Sequence, residues 1–325
     1  MSRLRVTIAT GDYDITRPIL DGAVSPDGLD IVGVTMPSPQ RHWRMLKHRE
    51  FDVAELSLGS HCAQLGRGET DLIGIPVFPH RRFRHGYAFI PAGSKAQQAG
   101  DLSGGKVGVR SWQTTAGVWL RGILEEYHGL PLSAVEWIAQ DGEDVPLNLP
   151  EDIRLSQVDA GDAVTDMCAQ GRLDGLIYPE LPQQIQAGDG TMRRLFADPK
   201  SAEQQYFRDT GIFPIMHVVA VRAELVEMFP WLPRTLCEVF DESKRLAMKR
   251  LSNPRTVSLA WLRTLQEEER ELLGPDPWRY GIDEQNIKTL ETFLGYAHRQ
   301  GVTARPLAAT DLFHPSVTEA IPAYV

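Results

Sequence analysis

Residues 71–92 read DLIGIPVFPHRRFRHGYAFIPA, and this stretch decides how the chain is organised. An apolar run of strand length comes first, followed by a basic turn and a second run of strand length. Short apolar runs bounded by turn residues are typical of strands that are buried on both faces of a sheet. After residue 92 a new series of strands and helices begins. The stretch therefore predicts a passage of the chain from one lobe to another.

Strand and helix patterns alternate on both sides of this passage. Residues 4–10, LRVTIAT, alternate and are rich in β-branched side chains, as strands are. Thr16 and Pro18 then mark a helix start, because Thr caps helices and Pro is tolerated in the first turn. Residues 107–122, VGVRSWQTTAGVWLRG, combine a strand with the helix that follows it. This βαβ rhythm predicts largely parallel sheets covered by helices.

The order of these segments predicts an α/β protein with two lobes and mixed, mainly parallel sheets. We expect one lobe to combine residues 1–88 with residues 216–325, and the other lobe to contain residues 89–215. Residues 224–300 have helical spacing, so the C-terminal region is predicted to be helical. Ligands of open α/β sheets bind beyond the carboxyl ends of the strands, so we expect the ligand in the cleft between the lobes.

Charge and cysteine content argue against several classes of protein. The 325 residues carry 34 basic and 43 acidic side chains, a formal net charge of −9, so the basic surface of a nucleic-acid or anionic-membrane binder is not expected. Cys62, Cys168 and Cys237 form no CxxC pair, which argues against a disulfide framework or a structural zinc site. No stretch approaches the ~18 apolar residues of a membrane span, and no secretory signal is recognisable. These features predict a cytoplasmic protein.

Common nucleotide-binding and hydrolytic motifs are absent from the sequence, including GxGxxG, the P-loop, HExxH and GxSxG. Nucleotide-dependent and common hydrolytic activities are therefore unsupported, and we expect neither a cofactor nor a metal, although a metal bound by His80, His85 and nearby acids is an alternative that the sequence leaves open. The expected partner is a small molecule. The sequence does not determine the oligomeric state, and a homo-oligomer is one of the alternatives.

The densest group of candidate ligand-binding side chains lies in residues 76–87, PVFPHRRFRHGY. Arginine binds a carboxylate through two parallel N–H groups and stays charged at any working pH. At least one arginine of this segment is expected to contact an anionic ligand, while the others face solvent or pair with acids. The charged and imidazole side chains of the segment are His80, Arg81, Arg82, Arg84 and His85.

A predicted helix start within residues 107–122 is a second candidate anion site. Helix starts have free backbone N–H groups, and the hydroxyls of Thr114 and Thr115 lie beside them. Arg110 ends the preceding strand, and the ring of Trp112 could stack on an aromatic ligand. Plain helix capping by Thr114 is the alternative interpretation.

Acidic and imidazole side chains elsewhere are candidates for proton transfer. Asp12 follows the first strand, where it could hold a proton or simply cap a helix. Glu55 and Ser57 lie in an apolar segment, VAELSLGS. A buried carboxylate has a raised pKa unless it is paired, and a raised pKa suits proton transfer; a structural ion pair is the alternative for Glu55. His217 begins a very apolar strand, as either a core residue or a catalytic one beside the predicted hinge.

Several stretches, in this order, resemble the 4,5-dihydroxyphthalate decarboxylase family. The resemblance extends from residue 4 to about residue 313. It implies the fold of type II periplasmic binding proteins, a Venus flytrap of two α/β lobes, in agreement with the two lobes predicted above. The stretches are DYDITRPILDG (12–22), WRMLKHREFDVAELSL (43–58), IPVFPHRRFRH (75–85), VWLRGIL (118–124), RRLF (193–196), TGIFPIMH (210–217) and LETFLGYAHRQG (290–301).

The resemblance also implies an activity, the loss of one carboxylate from a dihydroxylated aromatic diacid to give protocatechuate and CO2 without a redox cofactor. A hydroxyl para to the leaving carboxylate is deprotonated, and the ring carbon takes up a proton. The phenolic proton is assigned to His85 or His217, and the proton at carbon to Glu55 or Asp12. Substrate contacts are expected from Arg82 and Arg84, which would bind carboxylate, and from Ser57, Arg110, Trp112, Thr114, Thr115 and Tyr178.

Residues 178–182, YPELP, depart from the family pattern, which has a Thr-Ala-Arg-Thr-Pro type segment at this place. Glu180 thus replaces a cation near the cleft and should disfavour a second substrate carboxylate if both groups are desolvated. A monoacid or a differently substituted diacid is therefore an alternative substrate. A non-catalytic solute-binding protein with the same fold is the alternative function.

Overall fold

The predicted strands form two separate sheets in the computed structural model, which describes residues 3–318. The first sheet consists of β1 (Leu4–Thr10), β2 (Leu29–Thr35), β3 (Val53–Ser57), β4 (Leu72–Ile75) and β11 (His217–Arg222). The second sheet consists of β5 (Ala88–Pro91), β6 (Lys106–Val109), β7 (Glu136–Ala139), β8 (Arg154–Gln157), β9 (Gly175–Ile177) and β10 (Met192–Arg194). Their strand orders are β2-β1-β3-β11-β4 and β10-β5-β9-β6-β7-β8.

The helices lie between and after these strands, and the C-terminal third of the described chain is mainly helical, as predicted. None of the helices within residues 3–318 is both long and apolar enough to cross a membrane. The helices are α1 (Arg17–Leu20), α2 (Ser38–His48), α3 (Leu58–Gly66), α4 (Thr115–His128), α5 (Val164–Ala169), α6 (Gln183–Ala187), α7 (Pro199–Thr210), α8 (Ala223–Met228), α9 (Leu232–Leu251), α10 (Leu262–Leu273) and α11 (Glu284–Arg299).

Both sheets are mixed, with parallel strands at their centres. In the first sheet β1 is parallel to β2 and β3, whereas β11 runs antiparallel between β3 and β4. In the second sheet β6 is parallel to β7 and β9, whereas β5 is antiparallel to β9 and β10. The antiparallel strands β5 and β11 are the ones that follow the two passages of the chain between the sheets. The predicted class, α/β with mixed, mainly parallel sheets, is confirmed.

We call residues 76–87 and 211–216, which connect the two sheets and run side by side, the hinge segments. The backbone N–H of Arg82 donates to the carbonyl of Pro214 at 3.0 Å, and the N–H of Met216 donates to the carbonyl of His80 at 2.8 Å. These bonds bring the basic turn next to the start of β11. The predicted lobe boundaries stay a prediction, although the strands of the second sheet all lie between residues 88 and 194.

Helix α4 is packed so tightly that its first turn is fixed beside the hinge. The side chain of Trp119 is fully buried, and its indole N–H donates to the carbonyl of Ile215 at 2.8 Å. On another side, Gly122 lies against the ring of Tyr296 from α11, and a Cβ at position 122 would approach that ring to 2.4 Å. Because real Cβ contacts are longer than this, only glycine fits here without moving the ring.

Candidate active site

A cavity of about 410 Å³ is lined by loops of both sheets and by both hinge segments. Its volume lies within the range of small-molecule sites, roughly 300–1,000 Å³. Polar side chains form most of the lining, as predicted for the carboxyl ends of strands. The lining residues are Tyr13, Ser38, Pro39, His42, Ser57, Ser60, His80, Arg82, Arg84, Arg110, Ser111, Gln113, Thr114, Thr115, Ala116, Asp141, Gly142, Asp144, Pro179, Glu180, Met216 and His217.

His217 and Glu55 form a buried pair at the floor of the cavity. Their strands are antiparallel neighbours, with Val219 opposite Glu55 in the register. The Nδ1 atom of His217 contacts Oε1 of Glu55, so this nitrogen donates its proton to the carboxylate. Nε2 of the same ring is then the acceptor nitrogen that is left for the cavity, which His217 lines. The pair has the geometry of a general base oriented by a carboxylate.

Glu55 is held in its ionised form by several donors. The guanidinium of Arg41 lies 2.8 Å from Oε2, and both side chains are completely buried. The backbone N–H of Gly11 donates to Oε2 at 2.7 Å, and the hydroxyl of Tyr13 donates to Oε1 at 2.9 Å. Burial alone would raise the pKa of Glu55, but Arg41, His217 and these hydrogen bonds outweigh burial and hold it far below its usual range. Glu55 is therefore a fixed anion and a poor proton donor.

The imidazole rings of His42 and His80 both contact the ring of His217 beside the cavity. The ring centroid of His217 lies 4.9 Å from that of His42 and 4.7 Å from that of His80, both in edge-on contact. Burial lowers the pKa of all three; for His217 the Glu55 carboxylate opposes this effect, while nearby guanidiniums reinforce it. All three rings are thus neutral near pH 7. Within residues 3–318, no three His, Cys, Asp or Glu side chains are arranged to hold a metal ion.

Arg84 is a buried cation that forms no ion pair with a carboxylate of the described chain. Its Nη1 donates to the carbonyl of Pro179 at 2.9 Å, and its Nε lies 3.1 Å from the sulfur of Met216. Burial lowers its pKa to about 10, so the group stays charged at neutral pH. No carboxylate within residues 3–318 lies within ion-pair distance of it. A ligand carboxylate in the cavity would supply the missing counter-charge.

Arg82 and Arg110 differ from Arg84 in their partners. Arg82 is exposed at the rim, where its Nη1 donates to the hydroxyl of Tyr87 at 2.8 Å. Arg110 pairs with both Asp141 and Glu180, each at 3.0 Å. The charge of Arg110 is therefore already balanced by the protein. Arg82 and Arg84 are left as the lining arginines without an acidic partner in the described part of the chain.

The predicted helix start at α4 reaches the cavity. Thr114 and Thr115 line it, and the first N–H groups of the helix point out of its N-terminal end. Oγ1 of Thr115 lies 2.9 Å from Oγ of Ser57 and accepts the N–H of Gly59 at 2.9 Å, so the loops of the two sheets touch at this point. Oγ1 of Thr114 donates to the carbonyl of Ser111 at 3.0 Å.

Comparison with known proteins supplies the family. A 4,5-dihydroxyphthalate decarboxylase from Comamonas testosteroni is 36% identical over 327 residues, which cover 98% of this chain and 99% of that protein. The chain belongs to the 4,5-dihydroxyphthalate decarboxylase family. A second member, from Pseudomonas putida, is 34% identical over 214 residues, or 64% of this chain and 83% of its own length. No family model matches the chain.

The decarboxylase family member described here shares its fold with solute receptors. The periplasmic aliphatic sulphonate binding protein SsuA from Escherichia coli superimposes with a TM-score of 0.57 over 98% of this chain and 99% of SsuA, at 14% identity. At this identity the likeness concerns the fold alone. The predicted flytrap fold of type II periplasmic binding proteins is thereby confirmed.

Two residues that the family resemblance placed in the decarboxylase site lie elsewhere. His85 begins a short 3-10 turn after Arg84 and is fully buried, with its ring among those of His128, Phe196 and Tyr206. Neither ring nitrogen of His85 has a hydrogen-bond partner in the described chain, and the residue does not line the cavity. Asp12 pairs with Arg17 beside a separate cavity of about 690 Å³ next to α1 and α9.

Trp112 and Tyr178, which were predicted to contact the substrate, likewise do not line the cavity. Trp112 is fully buried, donates its indole N–H to the carbonyl of Gln300 at 2.7 Å, and has the guanidinium of Arg121 over its ring. Its ring is thus occupied by core contacts and is not available to stack on a ligand. Tyr178 is half-buried and packs against the apolar cluster around α5.

Several residues of the site were not singled out by the sequence analysis. Arg41 and His42 are consecutive on α2, where RHWRMLKH looks like an ordinary amphipathic helix with a charged face. Their burial follows from packing of α2 on β3, a tertiary contact that helical spacing does not encode. Asp141 and Asp144 lie in the loop after β7, and only their position after a predicted strand could have marked them.

Proposed function

We propose that this protein decarboxylates a hydroxylated aromatic acid of the 4,5-dihydroxyphthalate kind and releases CO2 and a dihydroxybenzoate such as protocatechuate, as a step in the breakdown of aromatic compounds. Membership of the family supports the reaction class, a carboxy-lyase. The observation that carries the proposal is that neutral His217, which is paired with the Glu55 anion, lines the same cavity as Arg84, a buried cation without a carboxylate partner in the described chain.

Arg84 is the group that binds and orients the substrate through a carboxylate that is retained. A guanidinium forms short, charge-assisted hydrogen bonds with a carboxylate, and desolvation strengthens them. Arg82 at the rim adds a second positive charge that attracts the anion into the cavity. The N-terminal end of α4 at Thr114 and Thr115 favours a further anionic group.

His217 acts as the general base on the phenolic hydroxyl para to the leaving carboxylate. Nε2 takes the phenolic proton, and the Glu55 anion stabilises the imidazolium that results. Arg41 does not contact the substrate in this scheme; it holds Glu55 in place and ionised. His42 and His80 pack against the ring of His217 and restrict its orientation.

The reaction is balanced without an external oxidant or reductant. The phenolate pushes electron density to the ring carbon that carries the leaving carboxylate, and this carbon takes up one proton. The bond between ring and carboxylate then breaks, its electron pair returns to the ring, and CO2 leaves. The phenolate regains its proton from His217, so the net change is replacement of one carboxylate by one hydrogen.

The experiment that tests the proposal uses 4,5-dihydroxyphthalate labelled with ¹³C in the carboxyl groups, together with a panel of hydroxylated benzoates and phthalates. The expected result is labelled CO2 and an equal amount of decarboxylated product, measured by mass spectrometry and liquid chromatography, with and without chelator. Binding detected by a rise in melting temperature, without CO2 from any acid, would instead support a solute-binding protein, the function of SsuA.

We also propose that the protein works in the cytoplasm on a small-molecule substrate. Cys62, Cys168 and Cys237 are all free thiols, as is usual for proteins of a reducing compartment. Cell fractionation followed by immunodetection tests the location, and recovery in the periplasmic fraction would contradict it.

A further inference from the structure

We infer that Asp144 is the acid that delivers a proton to the ring carbon as CO2 leaves. This inference rests on the proposed function, because it assigns the second proton of the same reaction. His217 accepts the proton of a phenolic hydroxyl of the substrate. The ring carbon that loses CO2 lies para to that hydroxyl, on the opposite side of the substrate ring. A single side chain cannot act at both positions at once, so a second group must hold a proton.

Within residues 3–318, four carboxylates belong to this site, and three of them are paired with cations. Glu55 is pinned as an anion by Arg41. Asp141 and Glu180 share the guanidinium of Arg110. Each of these three carboxylates already has a cationic partner in the protein.

Asp144 is the exception among these carboxylates. Its hydrogen-bond partner is a neutral group, the hydroxyl of Ser60, at 3.5 Å, and no cation of the described chain lies within ion-pair distance of it. Asp144 lines the cavity and is exposed there, and partial burial by the neighbouring protein raises the pKa of its carboxyl group. An anionic substrate in the cavity adds a like charge and excludes water, which raises the pKa further and favours the protonated form.

The loop that carries Asp144 is anchored on both sides. The carboxylate of Glu143 accepts the backbone N–H groups of Trp112 and Gln113 at 2.6 and 2.9 Å. The carbonyl of Val145 accepts the side-chain amide of Gln113 at 2.9 Å. These bonds fix Asp144 beside the start of α4, and preorganised placement is what an acid that acts on a bound substrate requires.

The two proton-transfer groups thereby come from different sheets. His217 belongs to the first sheet, whereas Asp144 follows β7 of the second sheet. In the step itself the O–H bond of Asp144 breaks, a C–H bond forms at the ring carbon, and the ring–carboxylate bond breaks to release CO2. The Asp144 carboxylate then takes a proton from water to begin the next turnover.

The test compares Asp144→Asn with Asp152→Asn, an identical change at an exposed position outside the cavity. Using whichever aromatic acid releases CO2 with the wild-type protein, we expect Asp144→Asn to lower kcat by about 100-fold or more and to leave the Kd of that acid nearly unchanged. Asp152→Asn is expected to keep wild-type values. The ratio of H to D at the new ring position, measured by NMR after turnover in mixed H2O and D2O, should differ between Asp144→Asn and the wild type, because the proton donor differs.

The outcomes separate this inference from the function on which it rests. Absence of CO2 with the wild-type protein would reject the decarboxylase itself. With an active wild type, a normal kcat or an unchanged H/D ratio in Asp144→Asn would overturn the role of Asp144, as would a parallel loss of binding. If Asp144→Asn fails to fold, Asp144→Glu decides: slowed turnover with intact binding supports the role, and wild-type turnover contradicts it.

Discussion

His217 holds its Nδ1 against Oε1 of Glu55, one strand away in the same sheet, and this contact fixes which ring nitrogen is available to the cavity. The arrangement is asymmetric in charge. Burial lowers the pKa of His217 and Arg41 balances the charge of Glu55, so the imidazole stays neutral and can accept a proton. Once His217 is protonated, the same carboxylate stabilises the cation. A solvent-exposed histidine would lack both effects.

The first prediction concerns His217→Asn, which removes the base but keeps a side chain able to donate to Glu55. We expect kcat for CO2 release to fall by about 100- to 10,000-fold, the usual contribution of a general base, with little change in substrate Kd. Steady-state kinetics and calorimetric titration measure the two quantities. His48→Asn, on the exposed face of α2, is the control and should behave as the wild type. Equal turnover of His217→Asn and the wild type would refute the assignment.

The second prediction concerns Arg84→Met, which replaces a buried cation with an apolar side chain of similar length. Loss of one partner of a desolvated charge pair weakens binding by about 2–5 kcal/mol, so the Kd of the aromatic acid should rise by about 30-fold or more. Stability without ligand should not fall much, because an unpaired buried charge is itself costly. Arg82→Met at the exposed rim is the comparison and should weaken binding less. A larger effect at Arg82 than at Arg84 would reverse the proposed roles.

The third prediction concerns His85, which lies outside the cavity. Burial lowers its pKa to about 3, and His128 acts in the same direction. The unfolded chain binds a proton at this position below about pH 6.5, whereas the folded chain does not. The contribution of His85 to stability is therefore present above pH 6.5 and declines as the pH falls towards 3, by up to about 1.4 kcal/mol per pH unit.

The variant that tests this is His85→Leu, which removes the titrating group and suits the apolar surroundings. Its stability, measured by urea unfolding, should decline less between pH 6.5 and pH 5 than that of the wild type. Turnover should stay close to the wild-type value at neutral pH. Loss of CO2 release in a well-folded His85→Leu protein would restore His85 as a catalytic candidate.

The fold could be predicted from the sequence more completely than the arrangement of the site. The run DLIGIPVF and the strand-like GYAFIPA marked the passage between sheets, because apolar runs bounded by turn residues encode buried strands locally. Arg84 and the start of α4 at Thr114 were also predictable, since position after a strand places a side chain at the carboxyl edge of a sheet.

Side-chain direction within the basic turn was not predictable. His80 and His85 are five positions apart, yet one lines the cavity and the other is buried among aromatic rings. A 3-10 turn begins at His85, and no periodicity in PHRRFRH signals it. The roles of Arg41 and of Glu55 as a fixed anion depend on one long-range ion pair, and neither α2 nor β3 encodes that pair by itself.

The last prediction concerns substrate choice and Glu180. Arg110 is balanced by Asp141 and Glu180 together, so the part of the cavity next to β6 carries excess negative charge in addition to Asp144. A second substrate carboxylate near Arg110 must compete with Glu180 for the same guanidinium. Glu180→Gln removes this competition and keeps the shape of the side chain. We expect the ratio of kcat/KM for aromatic diacids to that for monoacids to rise by about tenfold, equivalent to about 1.4 kcal/mol.

The control for this change is Glu151→Gln, an exposed position outside the cavity that alters the net charge by the same amount. A general effect of net charge would move the diacid preference equally in both variants, because long-range fields do not distinguish their positions strongly at physiological ionic strength. A local effect appears in Glu180→Gln alone. An unchanged preference in Glu180→Gln would mean that both substrate carboxylates bind at Arg82 and Arg84, and that Arg110 serves only to hold the loops after β7 and β9 together.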